Sequence, residues 1–391
     1  MLILVVALLF LILFTLFEFR KHHICRDRIP GVVHINGTRG KSSVTRLIAA
    51  GLRAGGKKTI AKTTGSAPRV ILESGEELPI ERMFGANIRE QTKIMKFAAR
   101  RKIDALVLEC MAITPEYQWV TEHKMAESDV GVITNIRPDH LDVMGPGIKN
   151  VAYSICNTIP SKAKLYTSEE KYFNVINRIA RENETQAIFT DKSKVSDEEI
   201  KKFPFFAHKE NVSLALEVCK NYGIDRSVAL NGMYKMKPDI GATKVYTVDR
   251  FDKKIHFVHA LAANDPKSTR TVIKNIKQVY EQIEEIYILL NTREDRFFRS
   301  KQLIKMLAKE EFEKLYLIGR ETARVKSFAL KNKIDQSKIM NIGWTYGDEL
   351  ITLLSQLDKK EIWLFGIGNI GGNGGLIVKY FKQESKKENG S

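Results

Sequence analysis

Val32-Val33-His34-Ile35-Asn36-Gly37-Thr38-Arg39-Gly40-Lys41-Ser42-Ser43 decides the fold of this chain. An apolar run gives way to two glycines, a lysine and hydroxyls, and Val44, Leu47, Ile48 and Leu52 then follow at helical spacing. Strand, glycine turn and helix in that order make a phosphate loop. Backbone N–H groups of the loop and the positive end of the helix cradle phosphates, Lys41 reaches the terminal ones, and Ser42 is placed to hold Mg2+. Gly37, Thr38, Arg39, Gly40, Lys41, Ser42 and Ser43 are therefore the expected residues of a nucleoside triphosphate site. The longer form of this loop has a glycine where Ile35 stands, so the loop is of the shorter Gly-Thr-x-Gly-Lys-Ser kind. An ordinary strand-to-helix turn is the plain alternative for those six residues alone.

Outward from the loop, 391 residues suit about two domains, each with its own core, and no internal repeat or low-complexity run interrupts them. The formal net charge of +17 attracts polyanions. No RNA-binding signature or zinc-finger spacing favours nucleic acid, which is not expected as a partner. Met1 to Phe17 are apolar except for Thr15, and Glu18, Arg20, Lys21, Arg26 and Arg28 follow at once. This segment reads as a membrane anchor over 1–20. A cleaved signal would carry its charge ahead of the apolar stretch and a small-residue site after it. The basic flank on the C-terminal side puts the remainder in the cytoplasm, at the cell membrane and single-pass. Cys25, Cys110, Cys156 and Cys219 have no paired spacing and read as reduced thiols.

Strand-like runs Thr59 to Lys62, Ala105 to Glu109 and Val130 to Thr134 alternate with the helix-like run Asn87 to Arg101, which argues a mostly parallel sheet covered on both faces. Ligands of such sheets gather at the carboxyl ends of strands. Three polar clusters stand there. One is the hydroxyl-rich turn Lys62 to Ser66, with Thr64 a candidate metal hydroxyl. Another is Glu109, a carboxylate closing a buried strand and so a natural Mg2+ ligand, or else a surface glutamate. The third is Thr134 to Asp142, where His140 stands between Asp139 and Asp142 and a cation would use both imidazole nitrogen and carboxylate oxygen.

In this order and spacing, Gly37 to Ser42, Glu109 and Asn135 to Asp142 resemble the central ATP-binding domain of the Mur ligase superfamily, which includes peptidoglycan precursor ligases and folylpolyglutamate synthase. The resemblance implies that Lys41 and Ser42 bind the phosphates and Mg2+ of ATP, that Glu109 and His140 hold a second Mg2+, and that Asn211 opens a helix and recognises adenine. It also implies that Asp265, in Asn264 to Thr269, meets the ribose and that Lys267 approaches the γ-phosphate. The family's carbamylated lysine has no counterpart, since Ser154-Ile155 stand at its distance from His140. Nor has the family arginine after the linker, where Lys244 is the nearest candidate and cannot reproduce a bidentate fork.

Past the linker Met236 to Gly241, Ile273, Ile276, Val279, Tyr280 and Ile283 mark a helix, and Ile286 to Leu290, Lys314 to Ile318 and Glu361 to Phe365 read as strands of a smaller domain. Arg293 and Arg296, in Asn291 to Arg296, suit carboxylates of the substrate, unless Glu294 and Asp295 pair with them. The glycine loop Gly366 to Gly374 lacks a dinucleotide spacing and is otherwise a flexible turn. The expected fold is α/β: the anchor, a phosphate-loop domain with a mostly parallel sheet over 30–236, and a smaller α/β domain over 242–391 that closes on the nucleotide.

The phosphate loop begins barely past the apolar segment, leaving no room between them for the UDP-sugar domain of peptidoglycan ligases, so another acceptor is expected. With Glu109 to Ala112, Asp139 to Pro146 and Ala262 to Asp265, nearly the whole chain is similar to the ligase subunit of capsule-type poly-γ-glutamate synthases. That likeness implies an ADP-forming amide ligase with Lys41, Glu109 and His140 as its catalytic set, acting on glutamate and the poly-γ-glutamate chain through an acyl phosphate. It also implies a small multispanning membrane partner in the same synthase complex; self-association into a homo-oligomer stays open. A folylpolyglutamate synthase-like ligase, a kinase or ATPase without ligation and a nucleotide-binding scaffold are the rival readings.

Overall fold

β1 (Gly31–Asn36) is buried at every position, as a strand covered on both faces must be. It lies at the middle of an eight-stranded sheet in the computed structural model, which describes residues 2–65, 68–82, 85–205, 207–238, 243–263, 265–280 and 283–388. The other strands of this sheet are β2 (Thr59–Lys62), β3 (Arg69–Ile71), β4 (Glu77–Pro79), β5 (Ala105–Glu109), β6 (Val130–Ile133), β7 (Lys164–Thr167) and β8 (Gln186–Phe189). Their order is β4-β3-β2-β5-β1-β6-β7-β8. All pair in parallel except β3 and β4, which close one edge antiparallel.

Register sets the site. Ile35 lies opposite Glu109, Asn36 opposite Ile133, and Lys62 opposite Leu108, so the ends of β2, β5, β1 and β6 reach one edge together. The helix after β1, Lys41–Ala54, buries Val44 to Leu52 between the sheet and the helices Lys209–Asn221 and Arg226–Tyr234. The helix Arg89–Arg100 covers the other face with Ile94, Met95, Ala98 and Ala99.

The chain divides into two compact units, Met1–Asp239 and Ile240–Ser391. The first begins with α1 (Leu2–Asp27), long and apolar enough by composition to cross a membrane, with no part of its apolar window buried. This helix runs past the expected 1–20, because its last turns pack on the unit: His22 Nε2 lies 2.9 Å from the Met125 carbonyl. Arg26 donates to the Ala126 and Glu127 carbonyls and to Asp129.

The second unit holds a six-stranded sheet of β9 (Lys244–Arg250), β10 (Lys253–His259), β11 (Tyr287–Thr292), β12 (Lys314–Gly319), β13 (Ile339–Gly343) and β14 (Glu361–Gly368), in the order β13-β12-β11-β14-β10-β9. Only β9 is antiparallel. Ile288, Leu290 and Leu317 pack into a core on one face, and Phe257, Leu289 and Phe381 into a core on the other. The expected helix is Pro266–Val279, and Ile283 lies beyond its end. Expected positions Ser66, Asp239 to Gly241, the boundary at 242, Asn264 and the side chain of Val279 fall outside the described residues.

Candidate active site

The loop after β1 is held open by its neighbours. Gly37, at φ 132°, and Gly40, at φ 82°, occupy backbone that other residues rarely adopt. A Cβ at Gly37 would lie 2.1 Å from Thr134 Oγ1, and one at Gly40 would lie 2.9 Å from Asn211 Oδ1. The turn needs both glycines, and Asn211 stands against the loop although 171 positions separate it from Gly40. As expected, it opens a helix, two residues past the start of Lys209–Asn221.

Asn135 braces the loop from β6's side. Its Oδ1 accepts from Thr38 Oγ1 at 2.7 Å and from the Arg39 N–H at 3.2 Å, while its Nδ2 donates to the Arg39 carbonyl. Arg39 turns its guanidinium to Asp139, 2.6 Å away. Burial alone would raise the Asp139 carboxyl, but Arg39 beside it holds it below the usual carboxylate range. Asp139 is thus engaged by an ion pair with the loop's own arginine. His140 lies 4.0 Å from Asp139, in left-handed backbone at φ 43° ahead of the short helix Leu141–Met144.

On the other side of the loop a compact corner forms. Ser42 Oγ donates to Glu109 Oε2 at 2.8 Å, and the Thr64 N–H donates to the same oxygen at 2.7 Å. Glu109 is 2% exposed, and its Oε2 is committed to this corner. A hydroxyl and a carboxylate oxygen at hydrogen-bonding distance, beside a loop built for phosphate, are hard donors that fit Mg2+. Thr64 contributes its backbone here. Among the described residues no three His, Cys, Asp or Glu side chains form a cage, so phosphate oxygens and water would complete the coordination. Lys41 Nζ donates 2.7 Å to the Gly37 carbonyl, within the loop it would serve.

Lys62, which the sequence marks only as the start of the hydroxyl-rich turn, ends its strand as Glu109 does. Its side chain is fully buried, and Nζ lies 3.2 Å from Glu90, which Arg82 also grips. Burial pushes the Lys62 amine down, and Glu90 opposes this. Arg82 further donates to the Thr64 carbonyl. This buried lysine and its carboxylate thus back the turn that supplies the Thr64 N–H.

Behind β1, His34 Nδ1 lies 2.6 Å from Glu122 Oε2, and both side chains are buried. Burial opposes charge on the imidazole, but Cys110 and Glu122 outweigh it and raise its pKa from 6.5 to about 10. A raised pKa means that the pair's stabilisation is complete below about 6.5 and fades as pH climbs through 10. Replacing Glu122 by Gln is expected to cost about 3–5 kcal/mol at neutral pH, and to flatten the fall of the first unfolding transition between neutral pH and pH 10. A variant that melts like the parent with the same pH slope would refute the charged pair.

In the second unit, a cavity of about 600 Å³ opens beyond the ends of β11, β12 and β14, lined by Thr292, Arg293, Asp295, Arg320, Trp344 and Asn373 among others. Arg293 lines it, but its fork holds Asp295 through bonds of 2.9 and 2.8 Å, and Arg296 lies 3.5 Å from the same carboxylate. Arg320 and Trp344 were missed; each is a lone residue after a strand. Asp265 caps the helix Pro266–Val279, accepting from the Ser268 N–H. Lys267 is exposed beside it, and Lys244, at the start of β9, is half-buried, with burial lowering its amine.

Residues 35–237 match the family model described as the Mur ligase middle domain, and residues 245–384 match that of the poly-gamma-glutamate synthase CapB C-terminal domain. The chain is 34% identical over 389 residues to PGA synthase CapB of Bacillus subtilis (strain 168), covering 99% of both chains. The chain belongs to the CapB family of Mur ligases. A second CapB, the capsule biosynthesis protein of Bacillus anthracis, is 36% identical over 384 residues, 97% of this chain and 82% of that one. Among solved structures, Escherichia coli FolC in complex with ADP superposes with a TM-score of 0.71 at 13% identity, covering 95% and 93% of the two chains. A bifunctional folylpolyglutamate synthase/dihydrofolate synthase of Yersinia pestis, complexed with AMPPNP and Mn, gives 0.69 at 15% identity, covering 93% and 92%. At such identities the likeness is one of fold, and it extends the CapB family's Mur ligase architecture to both sheets.

Proposed function

We propose that this CapB-family chain is an ATP-dependent ligase that extends poly-γ-glutamate through γ-amide bonds. The observation that carries the reading is the corner of Ser42, Glu109 and Thr64 beside the glycine loop and Lys41, in a chain similar to PGA synthase CapB along nearly its whole length. The chain-end carboxylate attacks the γ-phosphate, giving an acyl phosphate and ADP, and the amine of an incoming glutamate displaces phosphate. Its obstacle is the meeting of two anions. Mg2+ would supply charge neutralisation where it develops. Ser42 and Glu109 would hold it. Lys41 would leave the Gly37 carbonyl for the terminal phosphate, Asn135 holds the loop in shape through Thr38 and Arg39, and Asn211 would meet the base. His140, Asp265 and Lys267 join the nucleotide side of this proposal.

The cavity at β11 and β14 lies where the strand order reverses, the place where open α/β sheets take ligands. We assign it to the glutamate carboxylates. Arg293 is already engaged by Asp295, so Arg320, exposed and without an acidic partner among the described residues, carries more of the grip. Arg320→Ala is expected to raise the glutamate concentration for half-maximal rate about tenfold, with the maximal rate changed less. An unchanged glutamate dependence removes the cavity from the glutamate site.

α1 would hold the chain in the membrane with both units on the cytoplasmic side, and export of the polymer would need a small multispanning partner. The test of the activity is ADP release by membranes containing the chain, with and without glutamate, followed by sizing of the product. Glutamate-dependent ADP and a growing polyanion support the ligase; ADP release indifferent to any amine would replace it with an ATPase.

A further inference from the structure

The helix Arg89–Arg100, α3 below, carries Arg89, Lys93, Lys96 and Arg100 at positions i, i+4, i+7 and i+11, a single stripe on its outer face. The opposite face buries Gln91, Ile94, Met95, Ala98 and Ala99. Arg89, Lys93 and Arg100 are exposed, and among the described residues none of the three has an ion-pair partner. Lys96 lies 2.7 Å from Glu18, the residue that follows the apolar run of α1. Lys21, one turn further along α1, lies 3.8 Å from the same carboxylate, and Arg20 is exposed.

These contacts fix the height of the stripe. α1 is one unbroken helix, and its lower turns are clamped by His22 and Arg26, so it stands on the first unit as a rigid post. Further down α1, Cys25 packs against the cluster that holds Ile94, Met95, Ala98, Ala99 and Ile103. Lys96 therefore lies level with the end of the apolar run of α1.

We propose that the stripe Arg89-Lys93-Lys96-Arg100, with Arg20 and Lys21, binds the headgroups of anionic phospholipid and so docks the first unit against the bilayer that α1 enters. The proposal rests on the reading of α1 as a membrane anchor. Anionic lipid is favoured over the acidic polymer because Glu18 ties the stripe to the point where the apolar helix emerges. A cation at an anionic surface is worth roughly fivefold in affinity, so three unpaired cations on one face give a strong and salt-sensitive preference. Docking would hold the phosphate loop, in the same unit, at a fixed distance from the membrane, where a growing polymer has to be handed on.

The full chain is reconstituted into vesicles of phosphatidylcholine alone and into vesicles in which about a third of the lipid is phosphatidylglycerol. Resistance to an alkaline wash reports α1, and amide hydrogen exchange reports α3. The expected result is exchange of α3 slowed about tenfold or more in the anionic vesicles, with the difference abolished at about 0.5 M salt. It is also expected to vanish in the variant Arg89→Gln, Lys93→Gln, Arg100→Gln, which keeps the Lys96–Glu18 contact. Equal exchange in a wash-resistant chain overturns the proposal alone, whereas a chain that washes off fails the anchor and takes the proposal with it. Protection by soluble polyglutamate equal to that by phosphatidylglycerol also overturns it, assigning the stripe to the polymer.

Discussion

Lys41→Ala abolishes glutamate-dependent ADP formation, to below about one part in a thousand of the parent rate, while the chain folds as before. The size of the effect follows from the step Lys41 would serve. Two anions must meet, and a preorganised cation in a partly dry site is worth far more there than in water. The fold survives because Lys41 does not build the loop. Gly37 is fixed by its N–H bond to Asn36 Oδ1, Thr38 and Arg39 by Asn135, and Gly40 by its closeness to Asn211. Loss of the one bond from Lys41 Nζ to the Gly37 carbonyl leaves an acceptor within reach of water. Ellipticity and the unfolding midpoint check the fold, and coupled ADP detection checks the rate. A folded variant that still turns over ATP in a glutamate-dependent way removes Lys41 from the chemistry.

The same contacts explain why the loop was readable and much around it was not. A phosphate loop is local: its strand, turn and helix follow one another within about twenty residues, and each part carries its own signal. Glu109 was visible because a carboxylate at the end of an apolar strand has few other reasons to be there. Lys62 also closes a buried strand, but its pairing was not legible, because its partner Glu90 lies on a helix that sequence spacing cannot place beside it. Asp139 looked like a cation ligand, and its engagement by Arg39 is likewise a contact across 100 positions. The hairpin of β9 and β10 was hidden for a local reason. Its turn uses Phe251 and Asp252, at φ 53° and 55°, where the usual signal is Asn-Gly. The cavity of the second unit was half legible: Arg293 sits in a charged run that draws attention, whereas Arg320 and Trp344 become neighbours only through the parallel order of β11, β12 and β13.

Glu109→Gln separates charge from shape in the corner that Ser42 and Thr64 form. Both donors of the corner, Ser42 Oγ–H and the Thr64 N–H, reach the same oxygen, Oε2. The single carbonyl oxygen of glutamine can accept both, so the variant keeps the corner's geometry and loses only its negative charge. Gln91 Nε2 bonds to the backbone carbonyl of Glu109, which the substitution does not touch. The chain is therefore expected to keep its fold, and the consequence falls on the cation. A hard divalent ion held by a neutral amide in place of a carboxylate binds more weakly, and we expect the Mg2+ concentration for half-maximal ADP formation to rise at least about tenfold and the rate at low Mg2+ to fall about a hundredfold. Titration of Mn2+ by its paramagnetic signal, in the presence of a non-hydrolysable nucleotide, reads the same loss without turnover. Arg82, Glu90 and Lys62 stand behind the Thr64 turn and would hold it in place in both forms, so a changed metal dependence could not be ascribed to a displaced turn. An unchanged metal dependence in a folded Glu109→Gln chain would mean that the carboxylate only positions Ser42 and Thr64, and the divalent ion would then have to be held by the phosphates and Ser42 alone.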